Sequence, residues 1–162
     1  MSDIKNIIIQ FSILKDLEYR EVIYDKAHPS LAASIVFANI PYKPGVYLVY
    51  NYSEEKLGEL LYVGKAGADK AGNINTHQLP KRLLAVCYPP MKYSDCLVQP
   101  PKHHSRNEAW PRMMEKDKIT SIKIFCFFSK INEEFKVELN SNPLLLESKI
   151  INLLKTKPLW AK

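Results

Sequence analysis

The sequence lacks any long hydrophobic run, and this absence limits where the protein can reside. The longest apolar stretch in the 162 residues is far too short to cross a lipid bilayer. The first residues also lack the basic, apolar and small-residue segments of a secretory signal, so we expect a cytoplasmic protein that contacts no membrane. Repeats and low-complexity segments are absent as well, which leaves one domain with a single core as the default at this length.

Cysteine is scarce, with Cys87, Cys96 and Cys126 the three in the chain. An odd number of cysteines without an export signal favours free thiols over disulfides. The first two cysteines could form a zinc site with His103 and His104. Because the close C-x-x-C pairing of structural zinc modules is missing, scattered loop and core residues are the preferred interpretation.

Basic residues outnumber acidic ones, at 23 against 17, which gives a formal net charge of +6. Such a balance favours polyanionic partners, with nucleic acid first among them. The alternative is an ordinary basic surface with no particular partner.

Two short runs, residues 44–50 and 60–65, have the composition of β-strands, and each carries a tyrosine and a glycine. The polar, turn-rich stretch between them, residues 51–59, predicts that the two strands form a hairpin. Their pairing would bring the phenols of Tyr47 and Tyr62 close together on one sheet.

The other elements are predicted from apolar spacing and from signals at helix ends. Residues 3–17 and 30–39 are expected to be helical, and a further helix should begin near Gln78. Residues 88–118 are irregular apart from a short helix at 107–115.

Residues 119–129 form the clearest strand, with the continuous apolar end of a buried central strand. The best-defined helix follows it. Asn142 suits the N-cap of this helix and Pro143 its first position.

Glu147 lies among the apolar residues of this last helix. A carboxylate beside leucines loses hydration unless it is paired or binds a cation. The alternatives to a metal ligand are a salt bridge, to Lys149 or to a residue elsewhere in the fold, and a solvated helix edge. Arg82 presents a similar choice between an exposed arginine and a phosphate clamp, since a guanidinium group matches phosphate oxygens in bidentate geometry.

In their order along the chain these residues resemble the GIY-YIG endonuclease domain, over about residues 43–162. The two tripeptides that name the family correspond to Gly-Val-Tyr at 45–47 and Tyr-Val-Gly at 62–64. The family's arginine after the second tripeptide corresponds to Arg82, and the glutamate that begins a later helix corresponds to Glu147. The chain departs from the family at Ala161, where an asparagine is usual, and at 88–118, which looks like an insertion.

The resemblance implies an α+β (α/β) fold in which a small central mixed or antiparallel sheet of about three strands is flanked by helices. Residues 41–162 would form this nuclease domain. Residues 1–40 would form an N-terminal accessory helical extension.

The resemblance also implies a catalytic set, Tyr47, Tyr62, Arg82 and Glu147, that meets in one concave site. Glu147 would hold Mg²⁺ or Mn²⁺, and Arg82 would stabilise the phosphorane. Tyr47 would act on the attacking water as base or relay, and Tyr62 would orient that water. Candidate contacts to DNA are basic groups near the site or in the insertion, namely Lys65, His77, Lys81, Arg106 and Arg112.

The expected function is therefore a divalent-metal-dependent DNA endonuclease, of the small restriction type or from a phage or mobile element. One active site cuts one strand, so cleavage of double-stranded DNA would need a homodimer on the DNA, sequential nicks or two bound molecules. The alternatives are a non-cleaving nucleic-acid-binding module on a degenerate GIY-YIG fold, favoured by Ala161, and an unrelated α/β protein with accidental motifs.

Overall fold

The computed structural model describes residues 2–25, 31, 34–35, 38–76, 78–84 and 110–161. Four strands form one antiparallel sheet in the order β1-β4-β2-β3: β1 (Tyr19–Asp25), β2 (Gly45–Ser53), β3 (Lys56–Ala66) and β4 (Ser121–Phe128). The helices are α1 (Asp3–Gln10), α2 (Leu79–Leu84), α3 (Trp110–Lys116) and α4 (Pro143–Leu153), with short 3₁₀ helices at Ser12–Leu14 and Leu139–Ser141. This architecture confirms the α+β class and the antiparallel sheet, which has four strands rather than about three.

The hairpin predicted around the two tyrosines is present as β2 and β3, but its turn is much shorter than expected. The strands continue to Ser53 and resume at Lys56, so only Glu54 and Glu55 form the connection. Both residues have positive φ angles, 51° and 59°, as a type I′ turn requires. That turn follows the right-handed twist of the strands, which explains why a polar stretch can remain paired almost to its end.

Strand β1 was not predicted, because its region was expected to be helical only. It pairs with β4 along the edge of the sheet, and only Val22 and Tyr24 turn fully inward. The predicted first helix is shorter than expected, since α1 ends at Gln10 and Phe11 has a non-helical backbone. Of the second predicted helix, the structure describes Leu31, Ser34 and Ile35 as helical.

The sheet is buried on both faces, as its central strand predicts. Successive strand residues point to opposite faces, and two clusters of buried side chains result. The first face carries Tyr47 and Tyr62 and is covered by α2, α3 and Trp160. The second face carries Val46 and Val63 and is covered by α1 and α4.

Helix α4 begins as the sequence predicts. The Asn142 side chain accepts a hydrogen bond from the Leu144 backbone N–H at 2.9 Å, and Pro143 occupies the first helical position. Leu146 and Ile150 bury themselves against the second face of the sheet. Glu147, directly after Leu146, is therefore held at the border between the core and the surface.

In the described part of the chain, no helix has the length and apolar composition needed to cross a membrane. Cys126 is a buried free thiol, as expected, and burial raises its pKa. Cys87 and Cys96 lie outside the described residues, with His103 and His104 of the alternative zinc site.

Candidate active site

Tyr47 and Tyr62 lie side by side on the first face of the sheet. Their ring centroids are 5.9 Å apart, with an angle of 44° between the ring planes. Tyr47 is paired in register with Gly64, and the missing side chain of Gly64 makes room for the phenol. A Cβ at residue 64 would lie 2.7 Å from Cε1 of Tyr47 and closer still to the phenol end of the ring. The glycine of the second tripeptide is thus needed by the tyrosine of the first.

Both tyrosines belong to the interior rather than to an open cleft. Tyr47 is 1% exposed and Tyr62 is 2% exposed. The ring of Trp110 on α3 lies 6.1 Å from each of them, and Trp160 lies 6.1 Å beyond Trp110. The expected convergence of the two phenols is therefore present, at the centre of an aromatic cluster that joins the sheet to α3 and the C-terminal segment.

Glu147 forms an ion pair with Lys65, which is 82 positions away in the chain. Nζ of Lys65 lies 2.7 Å from Oε1 of Glu147. Within the described residues, this is the one ion pair that the Glu147 carboxylate forms. The glutamate side chain is 17% exposed and the lysine side chain 39%. The sequence left three possibilities for Glu147: a metal ligand, a salt bridge and a solvated helix edge. The structure shows a salt bridge to a residue elsewhere in the fold. Lys149, the nearby alternative, lies two positions further along the helix.

Lys65 and Arg82 line one open groove at the end of β3. The groove has a volume of about 470 Å³, and its other walls are the segment after β3, Asn75, and Leu144 in the first turn of α4. Helix α2 supplies Arg82, which is half-buried and makes contacts within the protein. Three cations, Lys65, Lys70 and Arg82, give this groove the chemistry of a phosphate site.

Asp69 organises the loop that forms this wall. Its carboxylate accepts hydrogen bonds from the backbone N–H groups of Ala71 and Asn73, and from the Asn73 side chain at 3.0 Å. The side-chain bond from Asn73 contributes most to lowering the pKa of Asp69. Asn142 ties the loop to α4, because its side-chain amide donates to the Asp69 carbonyl at 2.9 Å. The Asp-x-x-x-Asn spacing at residues 69–73 is the local sequence signal of this ordered loop.

Lys65 links two of the predicted catalytic side chains. Lys65 connects Glu147 to the groove that Arg82 also lines, so these three residues surround the end of β3. The tyrosine rings lie on the first face of the sheet, which α2, the helix of Arg82, also covers, whereas Lys65 points to the other face and to α4, the helix of Glu147.

Several predicted DNA contacts are not placed. His77 and Arg106 lie outside the described residues, as does most of the segment 88–118. Lys81 belongs to α2 and Arg112 to α3, but their side chains also lie outside what the structure describes. Ala161 is placed, and it lines a second groove of about 320 Å³ with Val63 and Ile151.

Among the residues that the structure describes, no three His, Cys, Asp or Glu side chains come close enough together to hold a metal ion. A metal ion at Glu147 would thus have one carboxylate as its protein ligand. This arrangement fits Mg²⁺, which prefers oxygen ligands and usually keeps several waters when one or two carboxylates bind it.

Comparison with known proteins does not supply a relative. No protein-family model matches the chain, no curated protein is significantly similar to it, and no solved structure is a significant match to its fold.

Proposed function

We propose that the chain is a divalent-metal-dependent endonuclease that hydrolyses phosphodiester bonds in DNA. The observation that carries the proposal is the cluster at the end of β3, where Glu147 contacts Lys65 and Lys65 shares a groove with Arg82. The Glu147 carboxylate beside Lys65 provides a metal ligand, and the cations of Lys65, Lys70 and Arg82 in the adjoining groove provide phosphate ligands. The order of the GIY-YIG-like motifs along the chain supports the same proposal.

The substrate is inferred from the charge of the groove. Lys65, Lys70 and Arg82 line it, while Asp69 directs its carboxylate to the groups of its own loop. An excess of basic residues over the whole chain would also attract a polyanion. An open groove accepts a backbone phosphate that remains attached to a long polymer, whereas a closed cavity would favour a small free ligand.

Each residue of the cluster then has a separate role in the reaction. A water oxygen attacks phosphorus and passes its proton through the Tyr47 hydroxyl, while the bond to the 3′-oxygen breaks and that oxygen takes a proton from solvent. Arg82 stabilises the charge that develops on the phosphorane oxygens. Lys65 contacts a phosphate oxygen. Glu147 would hold Mg²⁺ or Mn²⁺, and the bound ion would neutralise charge on the phosphate and on the departing oxygen.

The tyrosines fit this scheme less directly. Acting on the water requires a hydroxyl group that reaches the groove, and both phenols are buried in the described structure. We assign the role to Tyr47, whose ring lies against Gly64, next to Lys65. The assignment requires that DNA binding makes the Tyr47 hydroxyl accessible from the groove. Tyr62 then supports the Tyr47 ring by packing against it.

Plasmid digestion tests the proposal. Supercoiled plasmid is incubated with the wild-type chain in Mg²⁺ and, separately, in EDTA, with Glu147→Ala as the inactive control. We expect nicked or linear DNA only with the wild type in Mg²⁺. Discrete bands would indicate a sequence-specific enzyme of the restriction type, and a smear would indicate a nonspecific nuclease.

A second candidate function is a non-cleaving nucleic-acid-binding module. The burial of Tyr47 and Tyr62 favours it, as does the alanine at position 161. In that case the wild-type chain would bind DNA, and the plasmid would stay supercoiled in Mg²⁺ as it does in EDTA.

A further inference from the structure

We infer that the ammonium group of Lys65 occupies the cation position at Glu147 and must leave it before a metal ion can bind. The same lysine then turns to the DNA phosphate in the groove, so that metal binding and DNA binding strengthen each other. This inference rests on the proposed function for the identity of the polymer. The exchange of cations at Glu147 rests on the ion pair alone.

The first step of the argument is the position of the ammonium group. Nζ of Lys65 lies 2.7 Å from Oε1 of Glu147, a charge-assisted hydrogen bond at a carboxylate that is mostly removed from solvent. A divalent cation on that carboxylate would lie beside an ammonium of the same sign. Because like charges repel strongly where solvent is partly excluded, the metal ion and the ammonium compete for Glu147.

The second step is that the groove offers the Lys65 ammonium group a second position, away from Glu147. Its side chain is 39% exposed, and Lys65 lines the groove that Arg82 also lines. A lysine side chain has a flexible four-carbon stem, so its charge can move between two acceptors while its backbone stays fixed. A DNA phosphate in the groove offers the second acceptor. The backbone of Lys65 is held in β3 by pairing with Val46.

The third step is thermodynamic. If a phosphate draws Lys65 away from Glu147, the affinity for metal rises, and a bound metal must then raise the affinity for DNA by the same factor. The protein would therefore load its metal mainly when DNA is present. Free metal in the absence of substrate would meet a carboxylate that is already neutralised.

Titration of Mn²⁺ into the full chain without DNA, with free Mn²⁺ measured by electron paramagnetic resonance, tests the exchange. We expect Lys65→Met to bind Mn²⁺ about tenfold more tightly than the wild type, within the usual range of coupling between two sites. Lys65→Arg should bind it no more tightly than the wild type, since a guanidinium group pairs with a carboxylate in a bidentate manner. Thermal melting confirms that each variant is folded.

Lys149→Met is the matched control for the loss of one positive charge. Lys149 lies on the same helix two positions from Glu147, a spacing at which helix side chains do not face each other. Its Mn²⁺ affinity should stay within about threefold of the wild type. Equal affinities for the wild type and Lys65→Met would overturn the inference.

DNA binding gives the reciprocal measurement. Anisotropy of a labelled duplex is recorded in EDTA and in Ca²⁺, another ion that prefers oxygen ligands. Ca²⁺ should tighten binding by the wild type and have a smaller effect on Lys65→Met, and equal effects would contradict the coupling. If the wild type does not cleave plasmid but Lys65→Met binds Mn²⁺ more tightly, the proposed function alone is refuted. If the wild type cleaves plasmid but Lys65→Met binds Mn²⁺ with unchanged affinity, the exchange alone is refuted.

Discussion

The Tyr47 ring lies on the backbone of Gly64, on the strand paired with its own. No side chain fits between them, because a Cβ at residue 64 would lie 2.7 Å from Cε1 of Tyr47. The tyrosine and glycine of the two tripeptides are thus one packing unit. This relationship accounts for the glycine independently of any role in catalysis.

Gly64→Ala should therefore destabilise the fold. The new methyl group would push the buried Tyr47 ring out of place, at a cost of about 1–3 kcal/mol in unfolding free energy. Gly58→Ala on the same strand is the control, since its Cβ would meet nothing closer than 3.3 Å. Urea unfolding measures both variants, and equal stability for the two would contradict the packing described.

The turn between β2 and β3 should accept a stabilising change. Glu54 and Glu55 both have positive φ angles, which L-residues adopt at a cost of roughly 1–2 kcal/mol each. Glu54→Asn with Glu55→Gly supplies the residues that type I′ turns prefer, and we expect the melting temperature to rise. Replacing both glutamates by glutamine removes the same charges and keeps the strain, so that variant should melt close to the wild type.

Lys123 on β4 links α1 to the sheet. Its Nζ lies 3.0 Å from Oδ2 of Asp3 and 3.5 Å from Oε2 of Glu21. Burial lowers the pKa of Lys123, but the hydrogen bond to Asp3 and the charges of both carboxylates outweigh burial, so the pKa is raised overall. A folded-state pKa above the unfolded value means that this stabilisation is complete below about pH 10.4 and is lost as the pH rises through the folded pKa.

Lys123→Met should thus cost about 2 kcal/mol of unfolding free energy at neutral pH, as for a lost hydrogen bond to a charged group. The difference from the wild type should stay constant up to about pH 10 and shrink at higher pH. Urea unfolding from pH 7 to 11 measures it, with the exposed Lys130→Met as control. A difference that stays flat to pH 11 would be evidence against the ion cluster.

Tyr47→Phe separates packing from chemistry at the tyrosine pair. The ring and its contact with Gly64 remain, so the loss of unfolding free energy should not exceed the roughly 0.5–1.5 kcal/mol of one hydrogen bond. If Tyr47 acts on the attacking water, the rate of plasmid nicking should fall by about a hundredfold or more. Tyr62→Phe should have a smaller effect, since packing is the role assigned to Tyr62. Nicking by Tyr47→Phe at the wild-type rate would leave Tyr47 with a packing role only.

The elements that could be predicted from sequence are those with strong local signals. The unbroken apolar run of β4 and the Asn142–Pro143 start of α4 are such signals, and both elements form where predicted. Strand β1 was not predicted, because Tyr19 and Ile23 are apolar but exposed. The sequence therefore does not alternate between apolar and polar residues around the buried Val22 and Tyr24.

The site depends on non-local relationships that a single sequence does not carry. Nothing local marks Lys65 as the partner of Glu147, since the two meet only after β3 and α4 pack together. The burial of Tyr47 was equally hidden, because a strand tyrosine has the same sequence pattern on a surface as in a core.

The central claim is that the Glu147 carboxylate acts in DNA cleavage. It is tested by single-turnover cleavage of supercoiled plasmid in Mg²⁺ by Glu147→Gln, at protein concentrations that saturate binding. The exposed Glu133→Gln serves as the control for charge. We predict that the DNA affinity of Glu147→Gln stays within about threefold of the wild type. Its unfolding free energy should stay within about 1 kcal/mol, as expected for the loss of a partly exposed ion pair. Its cleavage should be at least about a hundredfold slower, and cleavage at the wild-type rate would contradict the account.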